Sequence, residues 1–488
     1  MSHRLIASAI AAALACVSSA QASVDLIAIG SMDSSVGDLA RQTAGALENG
    51  VAGNLFGGLG SGMTYAGCNT FLAVPDRGPN AVTYNTAVDN TTSYINRFQT
   101  LRIKLTANDD ASAALPFNLG LTLRDTTLLS AAEPLVYGDG VAAGVGSGAP
   151  ALNSKRRQYF VGRSDNFDAT QLSTYARDGR LDPESIRVSN SGDFVFTSDE
   201  YGPYIYMFDR DSGVRIATIK VPAEFAVSTL SALGDTEISG NTAGRVANKG
   251  MEGLAISPDG RTLFGAMQSP LIQDGGTAAA YTRILRIDLR TGATRQYVYP
   301  LTNISTTAKP KYPTISEILA VNDHELLVDE RDGKGLGDDS SASFKQVFHI
   351  DLASATDATG LAGESTLAPL AVGKTLFLDI ASALTSYGYA ATDIPAKLES
   401  LSFGPDVTVN GTLRHTLFIA NDNDFLASIT DTNHPSGISN PNQFFAFAWD
   451  GADLPNYQRQ QLSRRECQGS WGGDSNGDWN FNFRHRHW

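Results

Sequence analysis

Apolar positions along this chain fall into short alternating runs, each broken by a turn and answered by a second run. Five such pairs share one grammar: SGMTYAGCNTFLAVPDRG (61–78), ESIRVSNSGDFVFTSDEYG (184–202), EGLAISPDGRTLFGAMQSP (252–270), EILAVNDHELLVDERDG (317–333) and ESLSFGPDVTVNGTLRHTLFIANDND (399–424). A small or acidic residue leads, an apolar run follows, and a Gly, Pro, Asn or Asp turn leads into a second run. A polar loop then ends the unit. Period-two alternation bounded by turn residues predicts a β-hairpin. Further pairs follow, at 204–208 with 214–221 and at 281–287 with 294–299. Four strands per unit, repeated with leads at 184, 252, 317 and 399, predict the blades of an all-β propeller over residues 23–455.

Five blades are countable directly. Six are expected, within a range of five to seven, because the long stretch between 61 and 184 has room for another blade or for an insertion around 131–151. Residues 24–29 form a lone strand suited to completing the last blade, which would leave no bare sheet edge.

The composition narrows the function classes. Formal net charge is −14 over 488 residues, which excludes a surface built to track a nucleic-acid backbone. The N-terminus has His3 and Arg4, an apolar run from 5 to 17 and a small-residue site at Ala20-Gln21-Ala22. This pattern predicts an export signal over 1–22 and a periplasmic or secreted protein, with a lipid anchor at Cys16 ranked lower because Ala13 stands where Leu is usual. No transmembrane segment is expected, since the run is too short to span a bilayer. Cys68 and Cys467 would remain after cleavage, either paired or as separate thiols. Residues 456–488 read as a polar tail. Oligomeric state is not legible.

In a propeller blade the start of the innermost strand and the loop after the second strand share one face. The leads Ser61, Glu184, Glu252, Glu317 and Glu399 would therefore meet the loops at 75–78, 198–202, 267–270, 329–332 and 421–424. These loops hold Asp76 and Arg77, Glu200 and Tyr201, Gln268, Glu330, Arg331 and Asp332, and Asp422. Packed carboxylates repel and need arginine or a cation to ionise together. An oxygen-only donor set selects a hard divalent ion, Ca2+ ahead of Mg2+.

The phrases VPDRGPN, SDEYGPYIYMFD, NKGMEGLAISPDGRTLFGAMQSPL, ISEILAVNDHELLVDERD and KLESLSFGPD, in this order, resemble the phytase-like family with "esterase-like activity of phytase". The resemblance covers roughly residues 57–447. It implies an exported propeller whose acidic clusters act on small phosphate esters, and it implies a site at Asp76, Arg77, Glu200, Glu252, Gln268, Glu317, Glu330, Arg331, Asp332, Glu399 and Asp422. Within that set Glu252 and Glu330 are the expected proton acceptors. Arg77 and Arg331 are expected to hold phosphate and offset charge, with Gln268 and Tyr201 also touching substrate. Asp76, Glu200, Glu317, Asp332, Glu399 and Asp422 are the expected metal ligands. Ser61 departs from the acidic leads of the other repeats. The one G-x-S-x-G match, Gly473-Asp474-Ser475-Asn476-Gly477, falls in the polar tail with no strand-to-helix pattern around it, and no H-E-x-x-H or P-loop occurs, so metal-assisted hydrolysis of a phosphate mono- or diester is the expected chemistry. The competing readings are a Ca2+-stabilised propeller that only binds a ligand or partner, and a lactone or carboxyl-ester hydrolase.

Overall fold

Five four-stranded antiparallel sheets surround a central channel in the computed structural model, which describes residues 24–110, 112–138, 144–202 and 204–463. In blade one the strands are Gly62–Gly67, Thr70–Val74, Arg97–Ala107 and Phe117–Leu128, and in blade two Ile186–Val188, Phe194–Asp199, Tyr204–Asp209 and Arg215–Lys220. Blade three is Met251–Ile256, Thr262–Met267, Tyr281–Asp288 and Thr294–Pro300, and blade four is Thr314–Ala320, Glu325–Arg331, Lys345–Asp351 and Lys374–Asp379. The fifth comprises Lys397–Phe403, Thr412–Asp422, Asn442–Trp449 and, as its outermost strand, Asp25–Met32 from the other end of the chain. The innermost strands touch in cyclic order, one to two to three to four to five and back to one, so the ring is closed.

The count is five, at the low end of the range read from the sequence and one below the number expected. Beyond the strands of blade one, the described residues of the stretch thought able to hide a sixth blade form only the two-stranded pair Ser130–Ala131 with Gln158–Tyr159 and isolated bridges. This insertion packs beside blades one and two. Gly162 lies so close to the chain that a Cβ there would sit 1.7 Å from the Arg77 carbonyl oxygen, and its own carbonyl accepts the Tyr201 hydroxyl at 2.8 Å.

A blade is buried on both faces, so alternate residues serve different neighbours. In Asn442–Trp449, Phe444, Ala446 and Ala448 join the core against blade one, while Phe445, Phe447 and Trp449 join the core against blade four. One such apolar cluster fills each of the five blade–blade interfaces. Continuous apolar strands are the sequence counterpart of two-sided burial.

One ion pair occupies the middle of the channel. Arg187 of blade two lies 2.8 Å from Glu317 of blade four. Arg187 donates to the carbonyls of Met63, Ile186 and Ile318 at 2.7, 2.7 and 2.9 Å, and reaches that of Leu401 at 3.5 Å. Glu317 accepts from the Ser185 hydroxyl and from the amides of Leu254 and Ile318. The pair therefore bonds the inner strands of all five blades.

After blade five the chain crosses the far end of the channel. Gln458 N bonds Val321 O at 2.9 Å, Gln460 bonds Val188 O at 2.9 Å, and Ser463 N bonds Asn190 O at 2.9 Å. Residues 456–463, read from sequence as the start of a polar tail, are thus a strap over blades four to two. Cys68, in the first hairpin turn at φ 54°, is disulfide-bonded. Its partner lies outside the described residues, as do Cys467, the rest of the tail and the export-signal segment 1–22. No helix among the described residues is long and apolar enough to cross a membrane.

A candidate active site at one mouth of the channel

Three of the five lead residues, with second-strand ends from all five blades, line one channel mouth, a recess of about 210 Å³. Its wall holds six carboxylates, Asp76, Glu184, Glu200, Glu252, Glu399 and Asp422, and four cations, Arg77, Lys249, Arg331 and Lys397, with Gln268, Asn80 and Asn248. Gly250 sits where a Cβ would come 2.2 Å from the Glu200 carbonyl oxygen, and its amide donates to Glu200 Oε1 at 3.1 Å. Only glycine lets these two loops approach so closely.

Three of the four cations are already matched. Arg77 holds Asp182 at 2.9 Å. Arg331 contacts Glu399 and donates through Nε to Ser316 Oγ at 2.7 Å. Lys397 holds Asp422 at 2.8 Å and also contacts Asp424. Lys249 differs, since its ammonium donates to the neutral Gln268 Oε1 at 2.9 Å.

The acids carry raised proton affinities. Burial pushes Glu200 up to about 7, assisted by Asp182, and Asp422 up to about 6 against the pull of Lys397. Burial and the neighbouring Glu200 and Glu399 hold Glu252 well above the usual carboxylate range, and burial with Glu252 and Asp182 does the same to Glu184. Asp76 is raised by burial and Asp422. Glu252 is 2% exposed, and its Oε2 has no hydrogen-bond partner among the described residues. One oxygen from each of Asp182, Glu184 and Glu200 lies within 4.8 Å of the others, close enough to share an ion. An all-oxygen set with an unpartnered carboxylate oxygen beside it fits a hard divalent cation.

Four residues expected here lie elsewhere. Glu317 is in the channel pair described above. The bulge in blade three skips Glu252 and that in blade five skips Glu399, but in blade four the skipped residue is Ser316. Ser316 is therefore the structural counterpart of the lead acids and Glu317 is one residue out of phase, which turns its side chain elsewhere. Glu330 alternates with Asp329 and Arg331 along its strand and so faces away. It is fully buried, accepting from Tyr299 Oη at 2.6 Å and Thr302 N at 3.0 Å and contacting Lys374. Asp332 binds Ser343 and Phe344 and lies beside Lys345 in an adjoining groove. Tyr201 donates to Gly162 O and is stacked by Arg180.

Conversely, sequence reasoning missed Asp182, Asn80, Asn248, Lys249 and Lys397, and it carried Glu184 as a lead without placing it in the site. The available signal was a basic residue two or three places before a lead acid, in KGMEG and AKLES.

The raised acids predict a pH dependence. An acid with a raised folded-state pKa keeps its proton where the unfolded chain has released it, so stability falls as pH rises from about 4 through the folded value. For Asp422, Glu200 and Glu317 that window closes at about 6, 7 and 7. The acids with lowered values, such as Asp33, Asp288 and Asp357, act below this window, where their stabilisation is lost on acidification. In chelator, the melting temperature at pH 5 is expected to exceed that at pH 7.5 by several degrees, and millimolar Ca2+ should close the gap from the pH 7.5 side. A higher melting temperature at pH 7.5 in chelator would contradict this.

The sequence model of the phytase-like family, described as "Esterase-like activity of phytase", matches residues 54–425. An "Uncharacterized secreted protein" of Arthroderma benhamiae is 32% identical over 255 residues, 46% of this chain and 45% of that one. The match thus spans less than half of that relative's length. Among solved structures, Pseudomonas fluorescens PhoX in complex with vanadate, a transition state analogue, is 9% identical and covers 89% of this chain and 97% of its own, at a TM-score of 0.35. The periplasmic gluconolactonase PpgL of Pseudomonas aeruginosa is 12% identical over 74% of this chain and 80% of its own, at 0.29. These superpositions are too loose to transfer a function.

Proposed function

This chain belongs to the phytase-like family, and on that premise we propose that it is an exported hydrolase of phosphoric esters working at the carboxylate-lined mouth. The observation that carries the reading is the convergence there of six carboxylates and four cations from five blades, with a buried carboxylate oxygen of Glu252 left unpartnered. Turn chemistry binds single acids to backbone amides, as at Asp199, but does not gather so many on one face. The secreted relative supports export.

Asp182, Glu184 and Glu200 would hold the divalent cation, Ca2+ or Mg2+ by their oxygen chemistry. When bound, such an ion polarises a phosphoryl oxygen and offsets developing charge. Glu252 takes the proton of the attacking water as the new O–P bond forms. It returns that proton to the alkoxide as the ester P–O bond breaks, so the products are an alcohol and inorganic phosphate. Burial and the neighbouring Glu200 and Glu399 raise its proton affinity, which favours the first of these transfers. Arg331 holds Glu399 in place, and Arg77 holds Asp182. Glu330 is turned into the blade interface, which supports Glu252 over Glu330 for the base role.

The test is turnover of chromogenic phosphomonoester, phosphodiester and carboxyl-ester substrates, with Ca2+ and with chelator. Phosphate-ester turnover that chelator removes is expected. Carboxyl-ester turnover indifferent to chelator would reject the reading. Ca2+ raising the melting temperature without any turnover would favour a binding propeller.

A further inference from the structure

The mouth does not end at its acidic wall. Lys249, Gln268 and Arg331 also line an adjoining groove of about 170 Å³ between blades three and four. The groove's outer part comes from residues 301–313, the connection between those blades, and presents Ile304, Lys311, Tyr312 and Pro313. Its charge is opposite to that of the mouth, with three cations, Lys249, Lys311 and Arg331, against Asp332. Asp332 is already engaged by Ser343, Phe344 and Lys345.

Resting on the hydrolase reading above, we infer that Lys249, at the junction of mouth and groove, is the residue that grips the substrate's phosphoryl anion, and that the Tyr312 groove seats its alcohol part. Three observations carry this. First, Arg77, Arg331 and Lys397 each have a carboxylate partner, so their charge is committed within the wall. Lys249 makes no ion pair among the described residues; its side-chain hydrogen bond goes to the neutral Gln268 amide, and Glu200, Glu252 and Glu399 act on it only from longer range. Second, its position is fixed. Its own amide bonds Val246 O at 3.1 Å, Asn248 before it sits at φ 55°, and Gly250 after it is pressed against Glu200. Third, it is half-buried and shared by both compartments, so an ester straddling the junction would place its phosphoryl group at the ammonium. Ile304, Tyr312 and Pro313 then offer an apolar wall, and Lys311 at the exposed rim suits an alcohol with a further negative charge. A flexible ammonium is well suited to meeting a phosphoryl oxygen as a point charge.

The experiment measures inorganic phosphate binding by calorimetry, and KM and kcat for 4-nitrophenyl phosphate, on the Ca2+-loaded full-length protein. Lys249→Met should weaken phosphate binding and raise KM at least about tenfold, the loss expected for one hydrogen bond to a charged group. Lys249→Arg should keep most of both. Tyr312→Ala should raise KM for the aryl ester while leaving inorganic phosphate affinity within twofold. Circular dichroism and melting temperature establish that each variant is folded. Unchanged phosphate affinity and KM in Lys249→Met overturn the inference, as does a wild-type protein that binds no phosphate. A wild type that binds phosphate through Lys249 yet turns over no ester sinks the hydrolase reading and leaves the anion site standing.

Discussion

Glu252→Gln is expected to abolish ester hydrolysis while raising the melting temperature. Glutamine has the same shape, so the mouth keeps its packing. It can neither take a proton from water nor return one, and loss of a positioned acid–base group costs about 10²–10⁴ in kcat. The stability gain has a separate cause. Glu252 is 2% exposed and faces Glu200 and Glu399, which raise the free energy of its ionised form. A neutral side chain removes that repulsion and relieves Glu184, whose proton affinity Glu252 raises. Loss of activity with a lower melting temperature would instead point to a structural role. Activity within tenfold of wild type would remove Glu252 from the chemistry. The discriminating readout is the pair of measurements, since sites that accumulate like charge are where function and stability oppose each other.

The second large effect belongs to the channel pair. Arg187→Met should destabilise the fold by about 3–5 kcal/mol, the usual cost of stranding one member of a buried ion pair. Glu317 would keep its bonds to Ser185, Leu254 and Ile318 but lose the guanidinium that offsets its charge. The carbonyls of Met63 and Ile318 would lose their donor. Adding Glu317→Gln to this variant should recover part of the loss, because the stranded charge disappears. Urea unfolding of the wild type, both singles and the double closes the cycle. Strictly additive losses would show that the two groups stabilise independently and that the pair does not act as a hub.

The inner hairpins were legible because blades repeat a pattern of alternation and turn residues that no single segment would make convincing. The shared face was legible for the same reason, since Asp76, Glu200 and Gln268 follow second strands, Arg331 and Asp422 end them, and Glu252 and Glu399 stand near the start of first ones. The failures are one-residue effects. Aligning EILAVND to EGLAISPD puts Glu317 over Glu252, whereas the bulge puts Ser316 there. Strand alternation sends Glu330 away from Arg331, although both sit in one charged cluster of the sequence. The blade count stayed a range, five to seven with six expected, because a long connection had to be read as either a sheet or an insertion, and length alone does not separate the two. Lys249 and Lys397 escaped because a lone lysine in a loop ordinarily signals only a solvated surface.

The pairing of Asp25–Met32 with Asn442–Trp449 bears on the order in which the molecule is made. Residues 25–32 must wait for residues 442–449 before they find their neighbour, so a growing polypeptide remains an open arc until blade five is made. Blade five also brings Lys397, Glu399 and Asp422 to the mouth. A prematurely terminated product would therefore lack both its seam and part of its chemistry, and would present an unprotected edge to other chains. The ring therefore closes only after residues 442–449 have been made.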